Sequence, residues 1–96
     1  MATYVLLSEL QPGSFADPGE FKDLAADVST RIKEQCPGVQ WKESFATMGG
    51  RCDVVDIIET DDPRQAEKAA MIIRSHGHMS TEMMVATNWD EFVGSL

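Results

Sequence analysis

The sequence predicts an α+β fold in which one four-stranded antiparallel sheet carries two helices on a single face. Asp17-Pro18 and Asp62-Pro63 each mark a helix start, and each follows an alternating, strand-like run. The strand-helix-strand order therefore occurs twice within 96 residues. A chain of this length supports one hydrophobic core, so we expect residues 1–96 to form a single domain.

The first unit begins with a strand and continues into a capped helix. Residues 3–10 alternate as a strand does, with apolar side chains on both faces. Asp17 is placed to cap helix one, Pro18 to fill its first position and Glu20 to bond back to its start. The helix is expected to end near Cys36. Its apolar residues recur at steps of three and four: Phe21, Leu24, Ala25, Val28 and Ile32.

A glycine turn joins the next two predicted strands. Residues 39–47 alternate, and residues 53–60 carry apolar groups on both faces. Gly49-Gly50 between them suits a hairpin, so strand two is expected to pair with strand three.

The second helix and the last strand complete the pattern. Helix two is expected from Asp62 to about His76, with Gln65 reaching back to its start and Gly77 taking a left-handed position at its end. Its expected buried residues are Ala66, Ala69, Ala70 and Ile73. Residues 78–87 form the predicted strand four, and residues 88–92 a short terminal helix. With right-handed crossovers, this order is that of the ferredoxin-like sandwich.

The predicted sheet has too many apolar side chains for one covered face. From the spacing we expect Tyr4 or Leu6, together with Val54 or Ile58 and apolar residues of strand four, on the side without helices. Such a face is too apolar for open water. A second copy of the sheet would cover it, which predicts a homodimer through the sheet face and the architecture of a dimeric α+β barrel.

Composition excludes several classes of partner. The chain has 8 basic and 16 acidic residues, a formal charge of −8, which repels phosphate backbones and anionic lipid. We therefore expect neither nucleic acid nor a membrane surface as a partner. The apolar stretches are short and interrupted by charge, and no export signal opens the chain. A cytoplasmic location is expected.

The sequence indicates neither a metal site nor a cofactor. Cys36 and Cys52 are too few for a disulfide framework or a four-ligand zinc site, and we expect two unjoined, reduced thiols. His76 and His78 flank a helix end and are expected to diverge rather than share a metal. No glycine loop of the phosphate-binding kind is present.

The chemically active candidates are few. Four acids lie on predicted strands, where an inward carboxylate with a raised pKa can act as a general base: Glu43, Asp53, Asp56 and Glu82. The candidate catalytic groups are His78 and Glu82. The spacing puts Trp41 and Phe45 on one face of strand two, where a flat ligand could lie. The candidate ligand-binding residues are Tyr4, Trp41, Phe45, Asp53 and Met83.

Four segments resemble the GYD domain family: residues 3–7, 45–55, 59–62 and 80–82. That family is named for a Gly-Tyr-Asp signature in the hairpin before strand three. Here Gly50-Arg51-Cys52-Asp53 occupies that place, with Cys52 at the tyrosine position. The resemblance implies the dimeric ferredoxin-like fold and supplies no reaction, because the family has no settled activity. Asp53, the retained acid, is expected to anchor the hairpin by accepting bonds from the Gly49-Gly50 amides or by pairing with Arg51.

Three functional hypotheses remain open. The first is a small homodimeric binding or accessory module that accepts an apolar or aromatic metabolite between sheet and helices. The second is a cofactor-independent isomerase or monooxygenase, with His78, Glu82 or Asp53 as the acid-base group, by analogy with other dimeric α+β barrels. The third is a purely structural interaction dimer. An inward carboxylate or histidine beside an apolar cavity would favour the enzyme, and an open cavity without titratable groups the binder.

Overall fold

The computed structural model describes residues 1–96 and contains four strands and three helices in the predicted order. The elements are β1 (Ala2–Leu10), α1 (Pro18–Gln35), β2 (Gln40–Ala46), β3 (Val54–Thr60), α2 (Pro63–His76), β4 (Met79–Ala86) and α3 (Trp89–Gly94). The strands pair antiparallel in the order β2-β3-β1-β4, and α2 approaches β3 and β4 closely. This is the ferredoxin-like βαββαβ topology with a short C-terminal helix.

Both predicted helix caps are present. The Asp17 carboxylate accepts from the Gly19 amide at 2.7 Å, and the Asp62 carboxylate from the Arg64 amide at 2.9 Å. Glu20 reaches back as expected, although it bonds the Ala16 amide, one residue before the cap, at 3.0 Å. The corresponding prediction for Gln65 is wrong, because its Oε1 is buried without a hydrogen-bond partner.

The core lies between the helices and one face of the sheet. Leu6 and Ile58 are fully buried at its centre. Ala66 and Ala69 of α2 are also fully buried, and their small side chains let this helix approach the strands closely. The other buried apolar residues are Tyr4, Val28, Ile32, Cys36, Ile72 and Ile73.

The opposite face of the sheet has no helix over it. The sequence spacing offered Tyr4, Leu6 and Ile58 as candidates for this uncovered face. The structure places all three in the core instead. The register places a different apolar set in adjoining rows across the four strands: Val5, Leu7, Phe45, Val55, Ile57 and Met84. Of these, Phe45 is 51% and Met84 41% exposed. The expectation of apolar side chains on both faces is confirmed, whereas their identities on the uncovered face are corrected.

A β-bulge in β2 overturns the expectation that Trp41 and Phe45 share a face. Trp41 lies opposite Ile58, and the register then shifts so that Phe45 lies opposite Val55. The extra residue of a bulge reverses the alternation that follows it. Trp41 therefore faces the helices together with Ser44, while Phe45 belongs to the uncovered face.

The end of α2 also differs from the prediction. Gly77 has a φ of −86°, and His78 takes the left-handed conformation with a φ of 53°. Glycine is required at position 77 for a steric reason instead, because a Cβ there would lie 2.5 Å from the Ile73 carbonyl oxygen. His78 thus turns the chain between the helix and β4.

Asp53 anchors the hairpin, but through a different partner from the one expected. Its Oδ2 accepts from the Leu10 amide at 2.7 Å, at the end of β1. The Asp53 amide donates to the Ser8 carbonyl at 2.8 Å, and its carbonyl accepts from the Thr47 amide at 2.9 Å. Neither the Gly49-Gly50 amides nor Arg51 bonds the carboxylate. Asp53 therefore joins the hairpin to the central strand.

We predict that Asp53→Ala lowers the free energy of unfolding by about 1–3 kcal/mol, because the Leu10 amide loses its acceptor. Asp53→Asn keeps an acceptor oxygen and should cost less. Chemical denaturation followed by circular dichroism measures both. Asp61→Ala removes an exposed carboxylate that makes only a 3.6 Å ion pair with the N-terminus, and serves as the control. Equal stability of wild type and Asp53→Ala would contradict the anchoring role.

Candidate ligand cavity beneath the first helix

A cavity of about 460 Å³ opens between α1 and the β2-β3 half of the sheet. Eleven of its fifteen lining residues are hydrophobic, so it suits an apolar occupant. The roof is one stripe of α1, formed by Phe21, Ala25, Val28, Ser29 and Ile32. The wall and floor come mainly from β2 and β3, including Trp41, Ser44, Ala46, Val54 and Asp56.

One carboxylate lies in this apolar lining. Asp56 is 5% exposed and is the one ionisable side chain among the lining residues. Its Oδ1 accepts from the Ser44 hydroxyl at 2.6 Å. Ser44 Oγ in turn accepts from the Trp41 indole N–H at 2.7 Å. Trp41 thereby leaves the Ser44 proton free to point at the carboxylate.

The second oxygen of Asp56 is free. No group of the chain donates to Oδ2. Only one side-chain polar atom is both fully buried and without a hydrogen bond, and that atom is Gln65 Oε1. Asp56 Oδ2 is therefore accessible to solvent. Because Asp56 lines the cavity, the space that reaches Oδ2 is the cavity itself. A bound molecule can donate a hydrogen bond there.

Burial sets the electrostatics of the site. Loss of hydration raises the pKa of Asp56, and the Ser44 hydroxyl, which stabilises the anion, lowers it by less. No lysine, arginine or histidine lines the cavity, so no cation there offsets the charge. Besides the Trp41 indole N–H, the other polar lining groups are the hydroxyls of Ser8, Ser29 and Ser44. Ser8 is committed to Thr81, with 3.1 Å between the two hydroxyl oxygens. Asp56 is thus an unpaired carboxyl group with a raised pKa in an apolar cavity, which suits proton exchange.

The structure brings two of the expected ligand-binding residues to this cavity. Trp41 and Phe45 both line the cavity, although the register places Phe45 on the uncovered face of the sheet. Tyr4 is buried in the core and Met83 packs against that core, so neither reaches the cavity. Asp53 lies outside it, at the hairpin.

The two candidate catalytic residues lie outside the cavity. His78 is exposed beside a shallow, mostly polar depression with Gln11 and Arg74. Glu82 is exposed on the uncovered face, opposite Leu7. Neither shares the cavity with Asp56.

Sequence reasoning named Asp56 as one of four acids and missed Ser44. Strand alternation already placed Asp56 with Ile58, and the structure identifies that side as the helix face. Ser44 carried no such signal, because the bulge preceding it sets its direction.

We predict that Asp56→Asn is more stable than wild type near pH 7 and that the difference shrinks toward pH 4. A raised pKa means that the folded state holds the proton more tightly than the unfolded state. Protonated Asp56 therefore contributes stability that is complete below the unfolded pKa of about 3.9 and is lost as the pH rises through the folded pKa. Asparagine retains the Ser44 bond and has no charge to bury.

Denaturant titrations between pH 4 and pH 7 measure this difference. Asp23→Asn, at an exposed position on α1, controls for the loss of one negative charge. Parallel pH profiles for wild type and Asp56→Asn would contradict the burial of an ionised carboxylate.

Solved structures with this architecture include monooxygenases, at low sequence identity. A crystal structure of an antibiotic biosynthesis monooxygenase covers 92% of this chain and 100% of its own at 12% identity, with a TM-score of 0.57. A putative antibiotic biosynthesis monooxygenase from Caulobacter crescentus CB15 covers 91% of each chain at 13% identity, with a TM-score of 0.56. An ethyl tert-butyl ether (EthD) family protein from Bacillus halodurans C-125 covers 91% of this chain and 100% of its own at 12% identity, with a TM-score of 0.55.

These likenesses establish the fold alone. No helix has the length and apolar character that a membrane crossing requires. No curated protein matches the chain in sequence. The GYD domain profile matches residues 4–95, nearly the whole chain, which agrees with the hairpin and strand motifs described above. The chain therefore belongs to the GYD domain family.

Proposed function

We propose that this protein binds a small apolar or aromatic metabolite in the cavity beneath α1. The observation that carries the proposal is the cavity itself, about 460 Å³ in volume and lined mainly by hydrophobic side chains. That volume falls within the range of about 300–1,000 Å³ typical of small-molecule sites. Phe21 and Trp41 supply flat surfaces for an aromatic ring.

A homodimer through the uncovered sheet face is the second part of this proposal. Val5, Leu7, Val55 and Ile57 form a continuous apolar surface on the two central strands. Phe45 and Met84 extend it onto the edge strands and are the most exposed of the set. A matching face on a second copy would bury this surface, and about 800 Å² per partner is usual for a stable pair.

A cofactor-independent enzyme is the alternative function, and the inward Asp56 beside the cavity favours it by the criterion stated above. Binding stands first because such an enzyme would also have to bind its substrate in this cavity. An inward carboxyl group with a raised pKa beside an apolar cavity is the arrangement that general acid-base chemistry uses. Two of the structural relatives carry the name antibiotic biosynthesis monooxygenase, which supports the alternative only by analogy of fold. The acid-base group of such an enzyme would be Asp56 rather than His78, Glu82 or Asp53. For either function we propose a cytoplasmic location, in keeping with two free thiols.

The binding proposal predicts that N-phenyl-1-naphthylamine, a neutral aromatic dye, binds wild type with increased fluorescence. Ala25 lines the cavity from α1, so Ala25→Trp should fill it and weaken binding about tenfold or more. Ala26→Trp is the matched control, because its neighbouring position does not line the cavity. Fluorescence titration measures all three proteins. Unchanged affinity in Ala25→Trp would place the dye elsewhere and contradict the proposal.

The dimer proposal predicts a homodimer at micromolar concentration and a monomer for Val5→Glu. Val5 lies on the central strand of the uncovered face, where two apposed glutamates would each lose hydration without a partner. Met71→Glu places the same charge on an exposed position of α2 and should remain dimeric. Sedimentation equilibrium measures the mass, and circular dichroism verifies that each variant is folded. A monomeric wild type would refute the proposal.

A further inference from the structure

We propose that the ligand of this cavity is a neutral apolar molecule carrying one hydroxyl group, such as a phenol or an enol, and that the hydroxyl donates to Asp56 Oδ2. This inference rests on the proposed binding function and specifies its ligand class. Three observations carry it: the position of the carboxylate, its hydrogen bonds and the absence of a cationic side chain from the lining.

The polar part of the cavity is already ordered before any ligand enters. Trp41 donates to Ser44, and Ser44 donates to Asp56 Oδ1. These two bonds hold the carboxylate in one orientation, with Oδ2 as the remaining acceptor toward the cavity. An apolar ligand that enters the cavity displaces water from Oδ2, and a ligand hydroxyl replaces the hydrogen bond that the water can make there.

The ligand should be neutral and have a single donor. A primary ammonium brings three N–H donors, whereas Asp56 Oδ2 is the one free acceptor of the carboxylate and the rest of the lining is mainly apolar. A ligand carboxylate would meet the Asp56 charge without a cation nearby. Ser8 is committed to Thr81, which leaves the Ser29 hydroxyl on the opposite wall as the other uncommitted polar side chain of the lining.

No other residue that lines the cavity has an ionisable side chain. Helix α2 contributes Ile73 to the lining, and β4 contributes Met79. Helix α1 contributes Phe21, Ala25, Val28, Ser29 and Ile32. Ser8 is the lining residue of β1, and the lining residues of β2 include none with an ionisable group. A change in hydroxyl preference on replacing Asp56 therefore reports on this carboxyl group.

The test compares 1-naphthol with 1-methoxynaphthalene, which has the same ring and oxygen but no donor. Isothermal titration calorimetry at pH 7 should find 1-naphthol bound about tenfold or more tightly by wild type, as expected for a hydrogen bond to a charged group. In Asp56→Asn the ratio should fall to about twofold or less. Ser29→Ala, which removes the hydroxyl of the opposite wall, should keep the wild-type ratio.

Equal binding of the two naphthalenes by wild type would overturn the hydroxyl proposal and leave the apolar cavity proposal standing. If wild type bound neither naphthalene, the hydroxyl proposal and the apolar cavity proposal would both be wrong. A persistent preference in Asp56→Asn would place the hydroxyl elsewhere, and tighter binding of 1-naphthylmethylamine than of 1-naphthol would show that the site selects a cation. Thermal unfolding of each variant verifies that it is folded.

Discussion

The close approach of α2 to the sheet determines where the protein has space. Ala66 and Ala69 are fully buried, so this helix lies close to β3 and β4. Helix α1 then packs against α2 rather than closely on β2. Val28 and Ile32 of α1 line the gap between α1 and β2. The cavity thus lies where α1 packs on α2 instead of closely on the sheet.

Locally determined features were predictable from sequence, and features set by strand irregularities were not. Asp17 and Asp62 act within their own helix turns, so their residue types and the following prolines were sufficient. The two-sided apolar character of the central strands was likewise evident. The bulge after Trp41 has no comparable signature, and it decides that Ser44 rather than Phe45 faces the helices. Asp56 was recognisable as an acid on an apolar strand, but its role required knowing which face the helices cover.

A buried carboxyl group without a cationic partner reduces stability, so its presence calls for a functional explanation. Asp56 shares its face with Leu6 and Ile58, both fully buried, where a hydrophobic residue would pack without loss of hydration. Ser44 satisfies one of its oxygens, while the other is open to the cavity. This arrangement differs from that of Asp53, whose carboxylate bonds the Leu10 amide and joins two strands. Of the two acids of this region, Asp53 is explained by structure alone and Asp56 is not.

The cavity and the uncovered face lie on opposite sides of the same strands and meet at β2. Every residue of this edge strand is exposed, and β3 is its one hydrogen-bonded neighbour. Trp41 and Ser44 on one side of β2 orient Asp56, while Phe45 on the other belongs to the apolar row. A second copy seated on Phe45 would therefore restrict the motion of the strand that forms the cavity wall. In that case dimer formation would also order the ligand site, because the two surfaces share one edge strand.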